Sequence, residues 1–154
     1  MIIKRSDLTE LAITDLLALH HAEMVAGSPP GTCHVLDLSG LKVPEVTVYG
    51  VWDGEHDDAA LLAIGALKHH ADFAELKSMR AHPDARGKGA GKAMLTHLLD
   101  TAKTAGFTEV KLETGNGPLF EAAVGLYRSF GFEDCAPFAG YTQGDFTQLM
   151  ALKI

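Results

Sequence analysis

The amino-acid sequence predicts one domain, over residues 1–154, built on a mixed α/β sheet that is partly antiparallel and partly parallel. Its length of 154 residues is that of a single domain. In the first half, β-rich segments follow one another across short turns, which is typical of antiparallel strands. In the second half, β-rich segments alternate with segments of helical period, which indicates parallel strands.

The first 43 residues are predicted to begin with a strand and a helix. Residues 1–5 are a short strand, and Asp7 is the expected N-cap of a helix over residues 8–25. Apolar side chains recur on one face of this helix, at Leu8, Leu11, Ala12, Leu16 and Leu19. Glycine and proline over residues 27–31 end it. Residues 32–43 are compatible with a short helix or a loop.

Three strands are predicted next. Valine and aromatic residues are dense over residues 45–52. Asp53 and Gly54 are a turn signal, so residues 60–69 are expected to return as the second strand of a hairpin. Residues 73–81 form the third candidate strand, and Pro83 ends it.

A helix is predicted over residues 87–105. Its apolar stripe consists of Met94, Leu95, Leu98, Leu99 and Ala102. Gly106 follows the last periodic residue and suits the C-terminal cap of this helix.

The remaining elements are a strand, a helix and two closing strands. Residues 109–114 are the strand. Pro118 suits the first turn of a helix over residues 118–130, which ends at Gly131. The closing strands are predicted over residues 132–136 and 147–152.

Composition and charge exclude several classes of protein. The chain has 13 basic and 20 acidic residues, so a general nucleic-acid binder is disfavoured. Its apolar stretches are shorter than the roughly 18 residues that span a membrane, and the first residues lack the apolar segment of a signal peptide. Cys33 and Cys135 form neither a disulfide framework nor a zinc motif. We therefore expect a reduced, cytoplasmic protein without a membrane partner.

Residues 75–92 are basic within this acidic chain. They contain five basic and two acidic side chains. A local basic cluster in an acidic chain favours one small polyanionic ligand over a long polymer. On charge alone, a solvated loop with incidental lysines is the alternative.

The segment Arg-Gly-Lys-Gly-Ala-Gly-Lys at residues 86–92 is the most specific motif. Glycines let backbone N–H groups approach a phosphate, and a helix N-terminus adds partial positive charge. A Walker A loop would need glycine at Arg86 and Ser or Thr at Ala93, and a dinucleotide fingerprint would need glycine at Lys92. The pattern that remains is R-x-x-G-x-G, at Arg86, Gly89 and Gly91.

Residues 75–92 resemble the acetyl-CoA motif of the GNAT family of N-acetyltransferases. A second similar block consists of residues 112–115, LETG, and residues 126–132, LYRSFGF, where the family has its fourth helix. The resemblance is strong over residues 60–154, and residues 137–141 are similar to small stand-alone bacterial members. It implies mostly antiparallel N-terminal strands followed by a splayed parallel pair that binds acetyl-CoA.

The same resemblance implies which residues bind the coenzyme. Met79 and Ala81 match fourth-strand positions whose backbone bonds the pantetheine arm. Asn116 matches an asparagine near the pantetheine. The loop that wraps the pyrophosphate corresponds to Arg86, Gly87, Lys88, Gly89, Ala90, Gly91 and Lys92.

Two catalytic residues are implied as well. Glu75 matches a fourth-strand glutamate that serves many members as general base, although water or another residue serves in others. Its alternative role is a carboxylate that binds substrate or faces water. Tyr127 matches a tyrosine that protonates the leaving thiolate, and its alternative role is packing on an apolar helix face.

The implied function is acetyl-CoA-dependent transfer of an acetyl group to a primary amine of a small molecule, by direct attack. A non-catalytic acyl-CoA-binding module is the alternative from another class, and acetylation of a protein lysine or N-terminus is a third. Residues 20–45 and 137–146 are expected to shape the acceptor pocket, where Phe138 and Tyr141 either line it or pack. No metal is expected, because the eight histidines form no HExxH motif. A homodimer is left open, since dimers are common in the family.

Overall fold

The computed structural model describes all residues from Met1 to Ile154. Its strands are β1 (Ile2–Ser6), β2 (Val46–Trp52), β3 (Leu61–His69), β4 (Ala74–Ala81), β5 (Glu109–Thr114), β6 (Glu133–Asp134) and β7 (Gln148–Lys153). Its helices are α1 (Leu11–Ala26), α2 (Leu38–Leu41), α3 (Ala90–Thr104) and α4 (Glu121–Ser129). A 3-10 turn, Pro83–Ala85, connects β4 to the loop before α3. None of the helices has both the length and the apolar composition that a bilayer crossing requires.

The seven strands form one mixed sheet in the order β1-β2-β3-β4-β5-β7-β6. Strands β1 to β4 pair antiparallel in sequence, and β7 pairs antiparallel with both β5 and β6. Only β4 and β5 pair in parallel. A parallel pair needs a long crossover, and α3 supplies it here. The predicted mixed sheet is therefore confirmed.

Strands β4 and β5 are in register only at their beginnings, where Leu76 is the last residue of β4 with a partner in β5. Strand β4 continues to Ala81, so the two strands diverge and leave one edge of β4 free. Strand β4 also bulges, because Ser78 has a positive φ of 52° and the register with β3 shifts there. Gly65 lies opposite this bulge, where a Cβ atom would be 2.7 Å from Met94 Cγ.

Apolar residues pack on both faces of the sheet. On one face, α3 packs across β2, β3 and β4, and α4 adds Tyr127 to the same core; Met94, Leu95 and Leu98 are among the buried side chains. On the other face, α1 and α2 cover β2 and β3, through Ile13, Leu16, Leu17 and Leu41. Because side chains alternate along a strand, Leu76 faces α3 while its neighbour Glu75 faces the opposite side.

The prediction for the first helix is wrong in its start and in its buried face. The helix starts at Leu11 with Glu10 as N-cap, whereas Asp7 accepts hydrogen bonds from Thr9 in a preceding turn. Leu8 has a φ of 67° there, which is incompatible with a right-handed helix. The later start rotates the inward face, which consists of Ile13, Leu16, Leu17 and His20. Leu11, predicted to be inside, is 73% exposed.

Other elements agree with the predictions apart from their boundaries. Helix α3 begins at Ala90 and not at residue 87, because Gly87 and Gly89 have positive φ angles. Helix α4 begins at Glu121 and not at residue 118. Gly106 follows α3 with a positive φ, as the C-terminal cap prediction requires.

Candidate active site

The loop before α3 presents free backbone N–H groups to solvent. Gly87 and Gly89 have φ angles of 78° and 81°, which only glycine adopts readily. The first α3 amide bonded to a preceding carbonyl is that of Ala93, which donates to Gly89. The amides of Ala90, Gly91 and Lys92 come before it and have no partner within the helix. They form the positive end of a 15-residue helix, which is a suitable site for a phosphate.

The basic residues of segment 75–92 do not form one surface. Arg86, Lys88 and Lys92 are exposed at the loop, in agreement with an anion site. Lys77 and Arg80 instead have buried side chains on β4, and each pairs with a carboxylate. The basic cluster of the sequence is therefore split between two sites.

The free edge of β4 begins beside the loop and extends along the gap between β4 and β5. Met79 lies at the bulge, between the registered positions Lys77 and Arg80. Ala81 pairs with β3 on the other edge. Unpaired N–H and C=O groups on such an edge can bond an extended amide chain in the way that a further strand would.

Glu75 lies on the face of β4 opposite α3, and it is only 1% exposed. One carboxylate oxygen is 2.8 Å from His70 Nε2. The other accepts a hydrogen bond of 2.5 Å from the Tyr141 hydroxyl and lies 3.5 Å from Lys77 Nζ. Lys77 Nζ also donates to the Tyr141 hydroxyl and to the His34 carbonyl. We call Glu75, His70, Lys77 and Tyr141 the β4 polar cluster.

Tyr141 contacts both charged members of this cluster, since its hydroxyl hydrogen-bonds to Glu75 and to Lys77. Burial raises the pKa of its hydroxyl, and the hydrogen bond to Glu75 raises it further. The hydroxyl therefore remains protonated and acts as a donor to Glu75. The sequence analysis allows two roles for Tyr141, lining the acceptor pocket or packing. In the structure its hydroxyl contacts Glu75. No local pattern indicates this pairing, because 66 residues separate the partners.

Glu113 is a second carboxylate beside the cluster, and the sequence analysis did not select it. It lies one residue beyond the last β5 residue in register with β4, in the position that corresponds to Lys77. Burial raises its pKa from 4.5 to about 7; the charge of Lys77 opposes this shift, and that of Glu75 adds to it. The signal that could have found it is the parallel register, which places Glu75, Lys77 and Glu113 on one face.

Tyr127 lies on α4, on the other face of the sheet from Glu75. Its side chain is buried with the core under α3, 5.8 Å from the Phe132 ring between centroids. Burial raises the pKa of its hydroxyl. The structure therefore places the two predicted catalytic residues on opposite faces of the sheet.

Asn116 has a structural partner. Its side-chain amide donates to the carbonyl oxygens of Asp145 and Phe146, at 2.9 and 3.1 Å. These bonds connect the loop after β5 to the segment before β7. The side-chain carbonyl oxygen is the part of Asn116 left for a coenzyme contact.

The geometry agrees with what the chain resembles. The family model for the "Acetyltransferase (GNAT) family" matches residues 16–132. The "Uncharacterized N-acetyltransferase YedL" of Escherichia coli is 39% identical over 153 residues, which cover 99% of this chain and 94% of that protein. The "Uncharacterized N-acetyltransferase YsnE" of Bacillus subtilis is 37% identical over 155 residues, with 100% of both chains covered.

A solved structure has the same fold. It is an acetyltransferase of Bacillus subtilis in complex with CoA, which superposes with a TM-score of 0.70 at 19% identity. The match covers 99% of this chain and 97% of that one. The matched family, the full-length relatives and the fold lead to one conclusion: the chain belongs to the GNAT family of acetyl-CoA-dependent N-acetyltransferases.

Proposed function

We propose that this enzyme transfers an acetyl group from acetyl-CoA to a primary amine of a small molecule, by direct attack of the amine on the thioester. The observation that carries the proposal is the position of two carboxylates, the buried Glu75 and the half-buried Glu113, where β4 and β5 begin to diverge. A proton acceptor is needed beside this gap, because an amine must lose its proton during the transfer.

The chain has groups that suit each part of the coenzyme. The free amides at the start of α3 suit the pyrophosphate, and Arg86, Lys88 and Lys92 add positive charge. The free edge of β4 at Met79 and Ala81 suits the amides of the pantetheine arm, and Asn116 is a further contact at the end of β5. Bound acetyl-CoA supplies an activated acyl group. The structurally similar acetyltransferase in complex with CoA supports this assignment.

Glu75 and Glu113 share the role of general base in this proposal. Glu113 has a pKa of about 7, which suits a base that works near neutral pH. Glu75 carries negative charge that raises the pKa of Glu113. Glu75 accepts a hydrogen bond from His70, whose side chain is one-fifth exposed, and this contact connects Glu75 to solvent.

Tyr127 is the proposed acid. Its hydroxyl stays protonated because burial raises its pKa, so it keeps a proton to donate to the leaving thiolate. The backbone N–H groups on the free edge of β4 are the donors available to a developing oxyanion.

A small acceptor suits the enclosure of the β4 polar cluster better than a folded protein does. Glu75 and Lys77 are buried beneath Tyr141 and Phe138, and the His34 carbonyl closes another side. We also infer a cytoplasmic location, because Cys33 and Cys135 are free thiols.

Thiol release from acetyl-CoA, measured with a panel of small amines and of lysine-containing peptides, tests the proposal. We expect release with a subset of the small amines and an acetylated product by mass spectrometry. Release only with peptides would favour protein acetylation. Coenzyme binding without acetylation of any amine would favour a binding module.

A further inference from the structure

The polar face of β4 continues past the β4 polar cluster to Arg80. The Arg80 side chain is 9% exposed, and its Nη1 lies 2.5 Å from the carboxylate of Glu23 on α1. Its other two nitrogens, Nε and Nη2, are buried and have no hydrogen-bond partner. A buried charged donor without an acceptor is costly, so an acceptor from outside the chain fits here.

The unpaired nitrogens define the chemistry of that acceptor. The N–H bonds of Nε and Nη2 lie on one edge of the planar guanidinium and point in parallel. This edge matches the two oxygens of a carboxylate, which Arg binds through two hydrogen bonds. Glu23 occupies the other end of the group and leaves this edge free.

Two more buried polar atoms near Arg80 lack partners. They are His20 Nδ1 on α1 and Ser78 Oγ at the β4 bulge. Burial lowers the pKa of His20 to about 4, and the charge of Arg80 contributes to the shift. The ring is therefore neutral at pH 7 and can donate one hydrogen bond to an anion. Together with Arg80 Nε and Nη2, this makes four buried, unpaired polar atoms on α1 and β4.

We propose that Arg80 binds a carboxylate of the acceptor, so that the substrate class is amino acids and related amino-carboxylates. The inference rests on the proposed function, because it concerns the amine that the enzyme acetylates. Glu75, Lys77 and Arg80 share one face of β4, with the bulge at Ser78 keeping Arg80 on that face. An amino-carboxylate is complementary to the two ends of this face, with its anion at Arg80 and its ammonium group toward Glu75 and Glu113, while Lys77 stays paired with Glu75.

Pairs of substrates that differ only in the carboxylate test this inference. Each L-amino acid and straight-chain ω-amino acid is assayed beside its carboxamide, with acetyl-CoA at saturation. We expect a kcat/KM higher for the acids by about 10- to 100-fold, the usual effect of hydrogen bonds to a charged group. The amine of an α-carboxamide is less basic and more often unprotonated, so amine basicity would produce the opposite preference.

The variant Arg80→Gln tests whether Arg80 is the cause. It should raise KM for the acids by about 10- to 100-fold, remove the preference over carboxamides and leave kcat within about 3-fold. Arg80→Lys keeps the charge but loses the two-donor edge, so it should recover part of the affinity. Arg5→Gln is the matched control, because Arg5 is exposed on β1. Calorimetric titration with CoA shows whether each variant folds with an intact donor site.

Three results would overturn the inference. Equal use of acids and carboxamides by the wild-type enzyme would show that water occupies the Arg80 edge. An unchanged preference in both Arg80 variants would place the carboxylate elsewhere. Acetylation of no amine would contradict the proposed function itself, whereas the first two results leave that function intact.

Discussion

Glu75 and Glu113 lie on neighbouring strands, and their different surroundings give the two carboxylates different chemistry. Glu75 is held by donors on both oxygens, from His70 and Tyr141. Glu113 has a pKa raised to about 7, mainly because burial disfavours its charge. The charge of Glu75 adds to the raised pKa of Glu113, so pH profiles of single variants are the way to separate their roles.

The pH dependence of kcat/KM should therefore differ between two isosteric variants. In the wild type we expect a rise with an inflection near pH 7, where Glu113 loses its proton. Glu113→Gln should remove this inflection and lower the rate by about 10²-fold. Glu75→Gln should shift the inflection to lower pH, because loss of the neighbouring negative charge lowers the pKa of Glu113. An inflection at the same pH in both variants would assign the base to water.

Tyr127→Phe should lower kcat while acetyl-CoA affinity stays the same. The variant keeps the packing against Phe132 and removes only the hydroxyl proton, so a loss of about 10²-fold is expected. The matched control is Tyr49→Phe, because β3 separates β2 from β4. A kcat and a pH profile equal to those of the wild type would make Tyr127 a packing residue.

At the level of elements, the β4 bulge depends on the backbone conformation of Ser78 and on the absence of a side chain at Gly65. The positive φ of Ser78 turns the strand, and Gly65 leaves room opposite for Met94 and Met79. Helix α3 packs on the same face and aims its N-terminus at the loop. The bulge, the free edge and the proposed anion site thus belong to one β4–loop–α3 unit.

Gly65→Ala should therefore destabilise the protein and weaken acetyl-CoA binding. The new Cβ would lie 2.7 Å from Met94 Cγ and 2.9 Å from Met79 Sδ, so we expect a cost of about 1–3 kcal/mol in unfolding free energy. Gly125→Ala is the control, because nothing lies within 4 Å and alanine stabilises a helix interior by roughly 0.5–1 kcal/mol. Denaturant melts that show no loss for Gly65→Ala would contradict this account of the bulge.

Much of this unit could be predicted from the sequence. Local periods predict most strands, and the glycine pattern predicts the loop before α3, because those signals are carried by neighbouring residues. The predicted start of α1 is wrong, because Asp7 has the side chain of a good N-cap but forms a turn with Thr9 instead. The helix begins only after Glu10. The partners of Glu75 were missed because His70 and Tyr141 meet it only through tertiary structure.

At the level of the whole molecule, the sheet separates two halves of the proposed chemistry. Tyr127 and the glycine-rich loop at residues 86–92 lie on the side of α3 and α4. The opposite face holds Glu75, Lys77 and Arg80. Donor and acceptor would meet in the gap between β4 and β5, where the sheet is open to both faces. Burying charged groups on the acceptor face also has a cost that depends on pH.

The free energy of unfolding should depend on pH through the ionisation of Glu113. Its folded-state pKa of about 7 exceeds the unfolded value of 4.5, so its contribution is complete below pH 4.5 and is lost as pH rises through 7. Comparison of wild type and Glu113→Gln by urea unfolding between pH 5 and 8 isolates this term. The wild type should lose about 2–3 kcal/mol relative to the variant over that range. Parallel curves for the two proteins would show that Glu113 has an ordinary pKa.

Calorimetric titration with acetyl-CoA, CoA and ATP, on wild type and Gly89→Glu, tests the central claim most directly. Wild type should bind both coenzyme A ligands and not ATP. Gly89→Glu should weaken binding by at least about 10-fold, because its carboxylate would face the phosphates at the start of α3. Gly31→Glu adds the same charge and the same strain, at a φ of 79° compared with 81°, on another loop. Its affinity should equal that of the wild type, whereas no binding of coenzyme A, or equal affinity for Gly89→Glu, would contradict the account.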